Sequence, residues 1–401
     1  MKLSELNQAR VEKVKKGFAD TFGQGREKVL FSAPGRTEIG GNHTDHQHGR
    51  VLAGAVNLDM LAAVAENGEN VIRLQSEGFR QCIVNLDDLS VHKRQYGTTT
   101  ALIRGVAAQF AARGCRLRGF DAYVISDVLR GSGLSSSAAF EVLVGTIINE
   151  LYFGGRATAI EIAQIGQIAE NRYFGKPCGL MDQMASSVGN LVTIDFADND
   201  HPLVEKIDFD FEKCGYTLCI IDSGADHADL TDEYAAITEE LKRVCAVFGK
   251  KWLREIPEDR FMSRIGEVRK AAGDRATLRA LHVYDDNRRV GKQCEALKQN
   301  DFAAFLQLVR QSGRSSWMYL QNVIPANRKE HQEMAIALAM CDRLLGEDGA
   351  YRVHGGGFAG TVQAFVPDAQ VESFVSEMEK VLGKGSCHLL KIRPEGGVRE
   401  N

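Results

Sequence analysis

The sequence predicts an α+β fold in two domains, because strand and helix patterns are mixed along the whole chain and a polar, turn-rich stretch lies near its middle. The chain has 401 residues, a length typical of two domains or one large one. Hydrophobic residues make up 44% of it and charged residues 25%, the balance of a globular protein with a full core. The turn-rich stretch covers residues 197–202. We therefore expect one domain at residues 1–205 and another at residues 206–401.

The first half of the chain carries both kinds of pattern. Apolar residues at helical spacing predict a helix that contains Leu6 and Phe18 and stops at Gly23. Strands are predicted at residues 28–32, 51–64, 71–74, 119–126 and 191–196, of which 51–64 is one strand or a pair. Helices are predicted at residues 136–152, 158–173 and 181–188.

The second half repeats the mixture. Strands are predicted at residues 216–221, 351–353, 361–366 and 387–392, and helices at residues 231–248, 285–299, 329–345 and 369–382. The turn before the third of these strands, Gly355 to Gly360, satisfies G-x-G-x-x-G. A nicotinamide-binding fingerprint needs a helix directly after the glycines, and a strand is predicted there instead. This excludes a nicotinamide site.

Composition narrows the possible partners. The net charge of −4 and the pI near 6.2 do not indicate a nucleic-acid-binding surface. No stretch approaches 18 uncharged apolar residues, and the N-terminus has no apolar signal segment. Nine scattered cysteines without a C-x-x-C pair predict free thiols in a reducing compartment. We expect a cytoplasmic protein that binds neither nucleic acid nor membrane.

A glycine- and serine-rich segment precedes the predicted helix at residue 136. Gly131 and Gly133 allow backbone N–H groups to approach an anion, and three serines follow at the start of the helix. A simple helix cap is the alternative, but three serines between two glycines and an alanine-rich helix favour a polyphosphate site. The signatures of P-loop enzymes and of protein kinases are missing from the sequence.

Two further segments carry polar side chains. Residues 33–49 form a predicted glycine-rich loop after a strand, where Asp45 can accept hydrogen bonds from two adjacent hydroxyls of a neutral polyol. A metal site made of His43, Asp45, His46 and His48 is a weaker alternative there. In the second segment Asp182 lies in an apolar setting, which suggests a buried functional acid. A cap at the start of the helix is the alternative for that residue.

Four motifs in order give the chain a family resemblance. They are Pro34-Gly35-Arg36 with Gly41 to Asp45, G-x-G-L-S-S-S-A at Gly131 to Ala138, C-G-[IL]-M-D-Q at Cys178 to Gln183, and G-x-G-F-[GA]-G at Gly355 to Gly360. Together they resemble the GHMP sugar kinases, and among these the galactokinases. The resemblance implies an N-terminal domain like domain 2 of ribosomal protein S5 and a ferredoxin-like C-terminal domain, with the active site in the cleft between them.

The resemblance also implies residue roles. Asp182 is the expected catalytic carboxylate, and Arg36 pairs with it and stabilises charge on the transferred phosphoryl group. Ser137 and Glu170 are the expected Mg²⁺ ligands. The residues expected to bind ATP are Ser76, Gly131, Ser132, Gly133, Leu134, Ser135, Ser136 and Ser137. The residues expected to bind the sugar are Asn42, His43, Thr44, Asp45, Gly179 and Tyr234.

The implied reaction is the phosphorylation of D-galactose at its anomeric hydroxyl by ATP and Mg²⁺, in a monomer or weak homo-oligomer with a small sugar as its partner. Three positions depart from the galactokinase pattern: Asn42 replaces a glutamate, His46 replaces a tyrosine, and Asp226 lies near a point where a basic residue is common. The run from Asp45 to Gln47 is similar to plant galacturonate kinases, so a 1-kinase for galacturonate is an alternative. A sugar-sensing regulator without activity is a third possibility, which the intact Arg36 and Asp182 disfavour.

Overall fold

The structure, a computed structural model, describes residues 8–128, 133–225, 230–326 and 328–400, except the side chain of Thr231. Its strands are β1 (Val29–Gly40), β2 (Arg50–Glu66), β3 (Val71–Ser76), β4 (Cys82–Asn85), β5 (Phe120–Ser126), β6 (Leu191–Asp195), β7 (Leu203–Ile207), β8 (Tyr216–Asp222), β9 (Ala350–His354), β10 (Thr361–Pro367), β11 (Cys387–Leu390) and β12 (Val398–Glu400). Its α-helices are α1 (Gln8–Phe22), α2 (Thr99–Ala112), α3 (Ser136–Tyr152), α4 (Ala159–Ile168), α5 (Met181–Val188), α6 (Thr231–Val247), α7 (Glu258–Ser263), α8 (Ile265–Ala272), α9 (Asp274–Lys298), α10 (Phe302–Ser315), α11 (Glu333–Leu345) and α12 (Val371–Leu382).

The first sheet has the strand order β12-β1-β2-β5-β3-β4, and β6 joins it by pairing with β2 and β7. The pair β3 and β5 is parallel, and the other pairs in this sheet are antiparallel. Its central strand β2 is apolar on both faces because both faces are covered. Met60, Ala62 and Val64 belong to the main core with α2 and α3, whereas Leu61 and Ala63 pack with α1. The nearly unbroken apolar pattern of residues 51–64 is therefore one long strand.

The second sheet is antiparallel and has the strand order β11-β8-β10-β9. In chain order this is 4-1-3-2, the arrangement of a ferredoxin-like βαββαβ unit. Helices α6 to α11 lie between the first two of these strands, and α12 lies between the last two. Cys219, Val362 and Phe374 are among the residues of its core.

The two sheets divide between β7 and β8, close to the predicted boundary. The last strand, β12, returns to the first sheet and pairs with β1, so the C-terminal residues lie with the N-terminal sheet. The division into domains at residues 1–205 and 206–401 stays a prediction.

One predicted loop is a strand. The sequence predicts that residues 33–40 leave the sheet, but β1 pairs with β2 as far as Gly40. The prediction was wrong because Pro34 and Gly35 favour turns, whereas here the pairing register shifts between Pro34 and Arg36, and a proline is tolerated at such an irregularity. Arg36 is therefore held on a strand rather than on a loop.

Several helices were not predicted. Helices α2, α7, α8 and α10 were missed, and α9 begins at Asp274 rather than at residue 285. The predicted helix at residues 158–173 is α4, which begins with a capping box of Thr158 and Glu161, followed by a π-helical turn at Ala169–Phe174. All nine cysteines lie within the described residues and are free thiols. Within the same residues no helix is long and apolar enough to cross a membrane.

Candidate active site

The segment that leads into α3 packs against the second sheet. A Cβ atom on Gly133 would lie 2.9 Å from Nδ1 of His354, and Gly133 has a φ of +70°, so only glycine fits there. Ser135 has a φ of 55°, which is uncommon for a residue with a side chain. Gly131 and Ser132, both predicted to bind ATP, lie outside the described residues.

The next residues start the helix. Leu134 is buried, and its carbonyl oxygen accepts a 3.0 Å hydrogen bond from the backbone N–H of Arg36. Ser136 and Ser137 begin α3, whose first N–H groups lack partners within the helix and attract anions. Ser76 ends β3 and pairs with Val124 of β5, the strand that precedes this segment. A contact of these residues with ATP stays a prediction.

Asp182 is held by two side chains. Nε of Arg36 donates to Oδ1 of Asp182 at 2.7 Å, and the hydroxyl of Ser135 donates to Oδ2 at 2.7 Å. The Arg36 guanidinium also donates to the carbonyl oxygen of Gly133. Arg36 is buried, whereas 32% of the Asp182 side chain is exposed. The carboxylate thus accepts hydrogen bonds from Arg36 and Ser135. The residue that caps the start of α5 makes no side-chain hydrogen bond to the helix.

Charge keeps Asp182 ionised. Burial raises the pKa of this carboxyl, but the charge of Arg36 and the hydrogen bonds from Arg36 and Ser135 together lower the pKa below its ordinary value. Burial lowers the pKa of Arg36, but the charge and hydrogen bond of Asp182 raise it, and the net shift is upward. Both groups are therefore charged at neutral pH. A fixed ion pair of this kind can accept a hydrogen bond from a hydroxyl and neutralise charge on a phosphoryl group.

A second carboxylate, that of Glu170, lies beside the first turn of α3. The hydroxyl of Ser137 donates to Oε1 of Glu170 at 3.2 Å, and Nζ of Lys176 lies 3.1 Å from the same oxygen. Nε2 of Gln183 donates to Oε2 of Glu170 at 2.9 Å. Glu170 belongs to the π-helical turn and is 2% exposed.

These oxygens fit a magnesium ion. Mg²⁺ is usually held by one or two protein oxygens together with phosphates and water. A hydroxyl and a carboxylate oxygen, from Ser137 and Glu170, meet beside the start of α3, where the phosphates are predicted. Their role as metal ligands stays a prediction.

Asp45 faces the same site as Asp182. A Cβ atom on Gly179 would lie 2.6 Å from Oδ2 of Asp45, so the carboxylate sits directly against this glycine. Burial raises the pKa of Asp45, and the nearby charge of Asp182 raises it further. The backbone N–H groups of His46 and of Asp45 itself, together with His43, lower this pKa in part, but the net shift is upward. The carboxylate keeps acceptor capacity for sugar hydroxyls.

Asn42 is bonded within the protein. Its Nδ2 donates to Oε1 of Glu38 at 3.0 Å and to the carbonyl oxygen of Gly355 at 2.6 Å. Its Oδ1 accepts from Nδ2 of Asn322 at 2.9 Å, and the residue is 1% exposed. The amide that was predicted to contact the sugar thus joins the end of β1 to the second half of the chain. A contact between Asn42 and the sugar stays a prediction.

Three other predicted sugar ligands also have partners in the protein. Nδ1 of His43 lies 3.2 Å from Nε2 of His46, and Nε2 of His43 lies 2.9 Å from the carbonyl oxygen of Gly356. The buried hydroxyl of Thr44 has two acceptors for its one hydrogen, the carbonyl oxygens of Gly41 at 2.8 Å and of Arg50 at 2.6 Å. The hydroxyl of Tyr234 donates at 2.9 Å to a carbonyl oxygen of the glycine-rich turn, which we define as residues 355–360. Their roles in sugar binding stay predictions.

The histidine-rich loop is not arranged as a metal centre. Within the described ranges, no three His, Cys, Asp or Glu side chains are placed to hold a metal ion. His48 instead stacks on Trp252, with 4.5 Å between ring centroids. The alternative of a metal site in this loop therefore lacks support.

Sequence reasoning missed three residues beside the site. His354 is buried, its Nε2 accepts from the backbone N–H of Glu38 at 3.2 Å, and it packs against Gly133. Lys176 pairs with Glu170. The position of His354 next to the glycine-rich turn and that of Lys176 two residues before Cys178 were usable signals. Asn322 lies in no recognisable pattern.

Two family models match the parts of the chain that carry these residues. The family model described as "GHMP kinases N terminal domain" matches residues 101–190, and "Galactokinase galactose-binding signature" matches residues 16–66. The second match contains Arg36 and Asp45. The first contains Ser137, Glu170 and Asp182.

Whole-chain comparisons show the family. A galactokinase of Actinobacillus pleuropneumoniae serotype 5b is 31% identical over 366 residues, which cover 88% of this chain and 89% of that protein. A galactokinase of Lacticaseibacillus casei is 31% identical over 374 residues and 92% of each chain. The crystal structure of Lactococcus lactis galactokinase complexed with galactose has the same fold, with a TM-score of 0.82, 23% identity and coverage of 98% of this chain and 100% of that one. A mevalonate kinase structure gives a TM-score of 0.65 at 15% identity, over 91% of this chain and 99% of that one. The chain therefore belongs to the galactokinase family, sugar kinases within the GHMP kinases.

Proposed function

We propose that this protein transfers the γ-phosphoryl group of ATP to the anomeric hydroxyl of D-galactose. The proposal is carried by Asp182, which is bonded to Arg36 and to Ser135 of the phosphate segment and is close enough to Asp45 to shift its pKa. One carboxylate thus adjoins both the predicted phosphate side and the predicted sugar side. The relatives named galactokinase and the solved galactokinase that holds galactose support the choice of sugar.

In this proposal Asp45 accepts hydrogen bonds from sugar hydroxyls and orients the ring. The anomeric hydroxyl then donates to a carboxylate oxygen of Asp182, which takes the proton as the bond to phosphorus forms. Arg36 keeps Asp182 ionised and stabilises charge on the transferred group. Catalysis rests mainly on alignment and on charge neutralisation.

On the phosphate side, the N–H groups at the start of α3, the hydroxyl of Ser136 and the backbone N–H of Ser135 would hold the phosphates of ATP, since the hydroxyl of Ser135 donates to Asp182. Ser137 and Glu170 would hold Mg²⁺. When bound, the ion would neutralise charge between the β- and γ-phosphates. Lys176, which pairs with Glu170, places a further positive charge at this edge of the site.

The two alternatives are not favoured. The relatives that match along most of the chain are named galactokinase, which favours galactose over galacturonate. Arg36 and Asp182 form an intact pair, which a silent regulator would not need. The free cysteines are consistent with the cytoplasm, where we place the reaction.

The test is a sugar panel with purified protein, ATP and Mg²⁺. ADP release is followed with galactose, galacturonate, N-acetylgalactosamine, arabinose and glucose, and the rate without sugar is the control. We expect galactose to give a kcat/KM at least about 10-fold above each other sugar, a difference of about 1.4 kcal/mol in transition-state binding. A dominant galacturonate signal would move the function to a uronate kinase. No sugar-dependent ADP release would contradict kinase activity altogether.

A further inference from the structure

A chain of four hydrogen bonds crosses the sugar loop, which we define as residues 41–49. The backbone N–H of Leu253 donates to Oε1 of Gln47 at 3.1 Å. Nε2 of Gln47 lies 3.5 Å from Nδ1 of His46, and Nε2 of His46 lies 3.2 Å from Nδ1 of His43. Nε2 of His43 lies 2.9 Å from the carbonyl oxygen of Gly356. The chain begins and ends in the second half of the sequence.

The Gly356 end fixes the direction of these bonds. A carbonyl oxygen can only accept, so Nε2 of His43 carries the hydrogen. In a neutral imidazole the other nitrogen is then an acceptor, so Nε2 of His46 must donate to Nδ1 of His43. Nδ1 of His46 is in turn left as an acceptor and needs a donor.

The Leu253 end gives the same direction independently. A backbone N–H can only donate, so the group of Gln47 that faces it is the amide oxygen. The amide nitrogen of Gln47 is therefore turned toward His46 and supplies the donor that Nδ1 of this ring needs. Both ends are thus satisfied by one arrangement of hydrogens, with His43 and His46 neutral and protonated on Nε2.

The surroundings keep the His46 ring neutral. Gln47 is 1% exposed, and burial together with the neighbouring His43 lowers the pKa of His46 to about 3. The other titratable groups that act on this pair of rings are Asp45, whose pKa is influenced by His43, and the buried His282. Asp45 lies between the two histidines in the sequence, so the loop that carries it is held at both sides.

We propose that His46 is a positioning residue: its Nε2 donates to Nδ1 of His43 and holds this ring in place for its bond to Gly356, which ties the sugar loop to the glycine-rich turn. Asp45 is then presented to the sugar in a single orientation. The last step rests on the proposed function, because it assumes that Asp45 binds galactose. The tautomer itself does not depend on any ligand.

The test compares His46→Phe with His46→Gln in the full-length chain. Phenylalanine keeps a ring but has no donor for His43, whereas the Nε2 of a glutamine can stand in for that of histidine. NMR of isotope-labelled imidazole nitrogens, without sugar, should show His43 protonated on Nε2 alone in the wild type and in His46→Gln. In His46→Phe the carbonyl of Gly356 still selects this tautomer, but Nδ1 of His43 has no donor, so we expect its nitrogen signal to move to the position of an acceptor without a hydrogen bond.

Activity gives the second readout. A lost hydrogen bond is worth about 0.5–1.5 kcal/mol, so KM for galactose should rise roughly 2- to 10-fold in His46→Phe with kcat little changed, and His46→Gln should restore it. Wild-type His43 protonated on Nδ1, or a signal of Nδ1 of His43 that does not change in His46→Phe, would overturn the proposal. The expected tautomers in a protein that does not turn over galactose would instead refute the proposed function and leave the positioning role standing.

Discussion

Gly179 allows Asp45 to lie against the backbone, and this contact makes a sharp test of the sugar site. A Cβ atom on Gly179 would lie 2.6 Å from Oδ2 of Asp45, whereas ordinary contacts of a Cβ atom begin at 3.4 Å. In Gly179→Ala the carboxylate must therefore move by about 0.8 Å, the difference between these distances. Gly179 is not among the residues with positive φ, so alanine fits the backbone.

The substitution should weaken the binding of galactose and leave the stability of the fold nearly unchanged. The displaced atom is the end of a side chain, so the free energy of unfolding should change little. A misplacement of about 1 Å at a catalytic site can cost about 10²-fold in rate. For the smaller shift here we expect kcat/KM for galactose to fall about 10- to 100-fold, mainly through KM, while KM for ATP stays near the wild-type value.

The assay pairs steady-state ADP release with thermal unfolding. Gly266→Ala is the matched control, because no heavy atom lies within 4 Å of its Cβ position in helix α8. It should leave kcat/KM unchanged and stabilise the helix by about 0.5–1 kcal/mol. If Gly179→Ala has the wild-type KM for galactose, Asp45 is not a sugar ligand. If Gly179→Ala unfolds at a much lower temperature than the control, the substitution disturbs more than the position of the Asp45 carboxylate, and the displacement derived above is wrong.

Three further predictions concern the charges of the site. Arg36→Met should lower kcat about 10²- to 10³-fold. The kcat of this variant should also fall as the pH is lowered, because burial raises the pKa of Asp182 once the opposing guanidinium is removed. A flat pH profile of kcat would argue against the pair. Ser137→Ala and Glu170→Gln should each raise the Mg²⁺ concentration for half-maximal ADP release about 10-fold or more, with KM for galactose unchanged at saturating Mg²⁺; an unshifted Mg²⁺ titration would remove the metal assignment. As the pH is lowered, KM for galactose should rise before kcat falls in the wild type, because the pKa of Asp45 is raised and that of Asp182 is lowered; the reverse order would exchange their roles.

The sequence predicted those parts of the fold in which one local pattern dominates. The amphipathic pattern of α1 and the alternating pattern of β5 were sufficient to place both elements. Helix α2 was missed because residues 101–107 are buried on all sides, so no 3.6-residue period is visible. Helix α10 was within reach, since Phe305, Leu306 and Val309 stand at helical spacing and are buried.

The π-helical turn and the extended β1 depend on distant partners. Strand β1 stays in the sheet beyond Pro34 because β2 pairs with it along its length. Glu170 lies in a π-helical turn. Its side chain accepts hydrogen bonds from Ser137 and Gln183, which belong to other helices. A local pattern cannot show either arrangement, because the stabilising groups lie elsewhere in the chain.

The site was predicted unevenly for the same reason. Arg36 and Asp182 were expected to pair, and the structure places them within hydrogen-bond distance. Ser135, which was expected only to bind ATP, also donates to Asp182. The partners of Asn42 could not be foreseen: Gly355 and Asn322 lie 313 and 280 residues away along the chain. The contacts that join the sugar loop to the second half of the chain therefore depend on tertiary structure, which a local sequence pattern does not show.

The proposed role of Asp182 is tested most directly by Asp182→Asn, measured by ADP release and by galactose binding on the same preparation. Asparagine keeps the size of the side chain but cannot take a proton or balance Arg36. We predict that ADP release falls by at least about 10²-fold, the scale of general-base catalysis, while the Kd for galactose changes only a few-fold. A variant that retains near-wild-type turnover would contradict the assignment of Asp182 as the catalytic carboxylate.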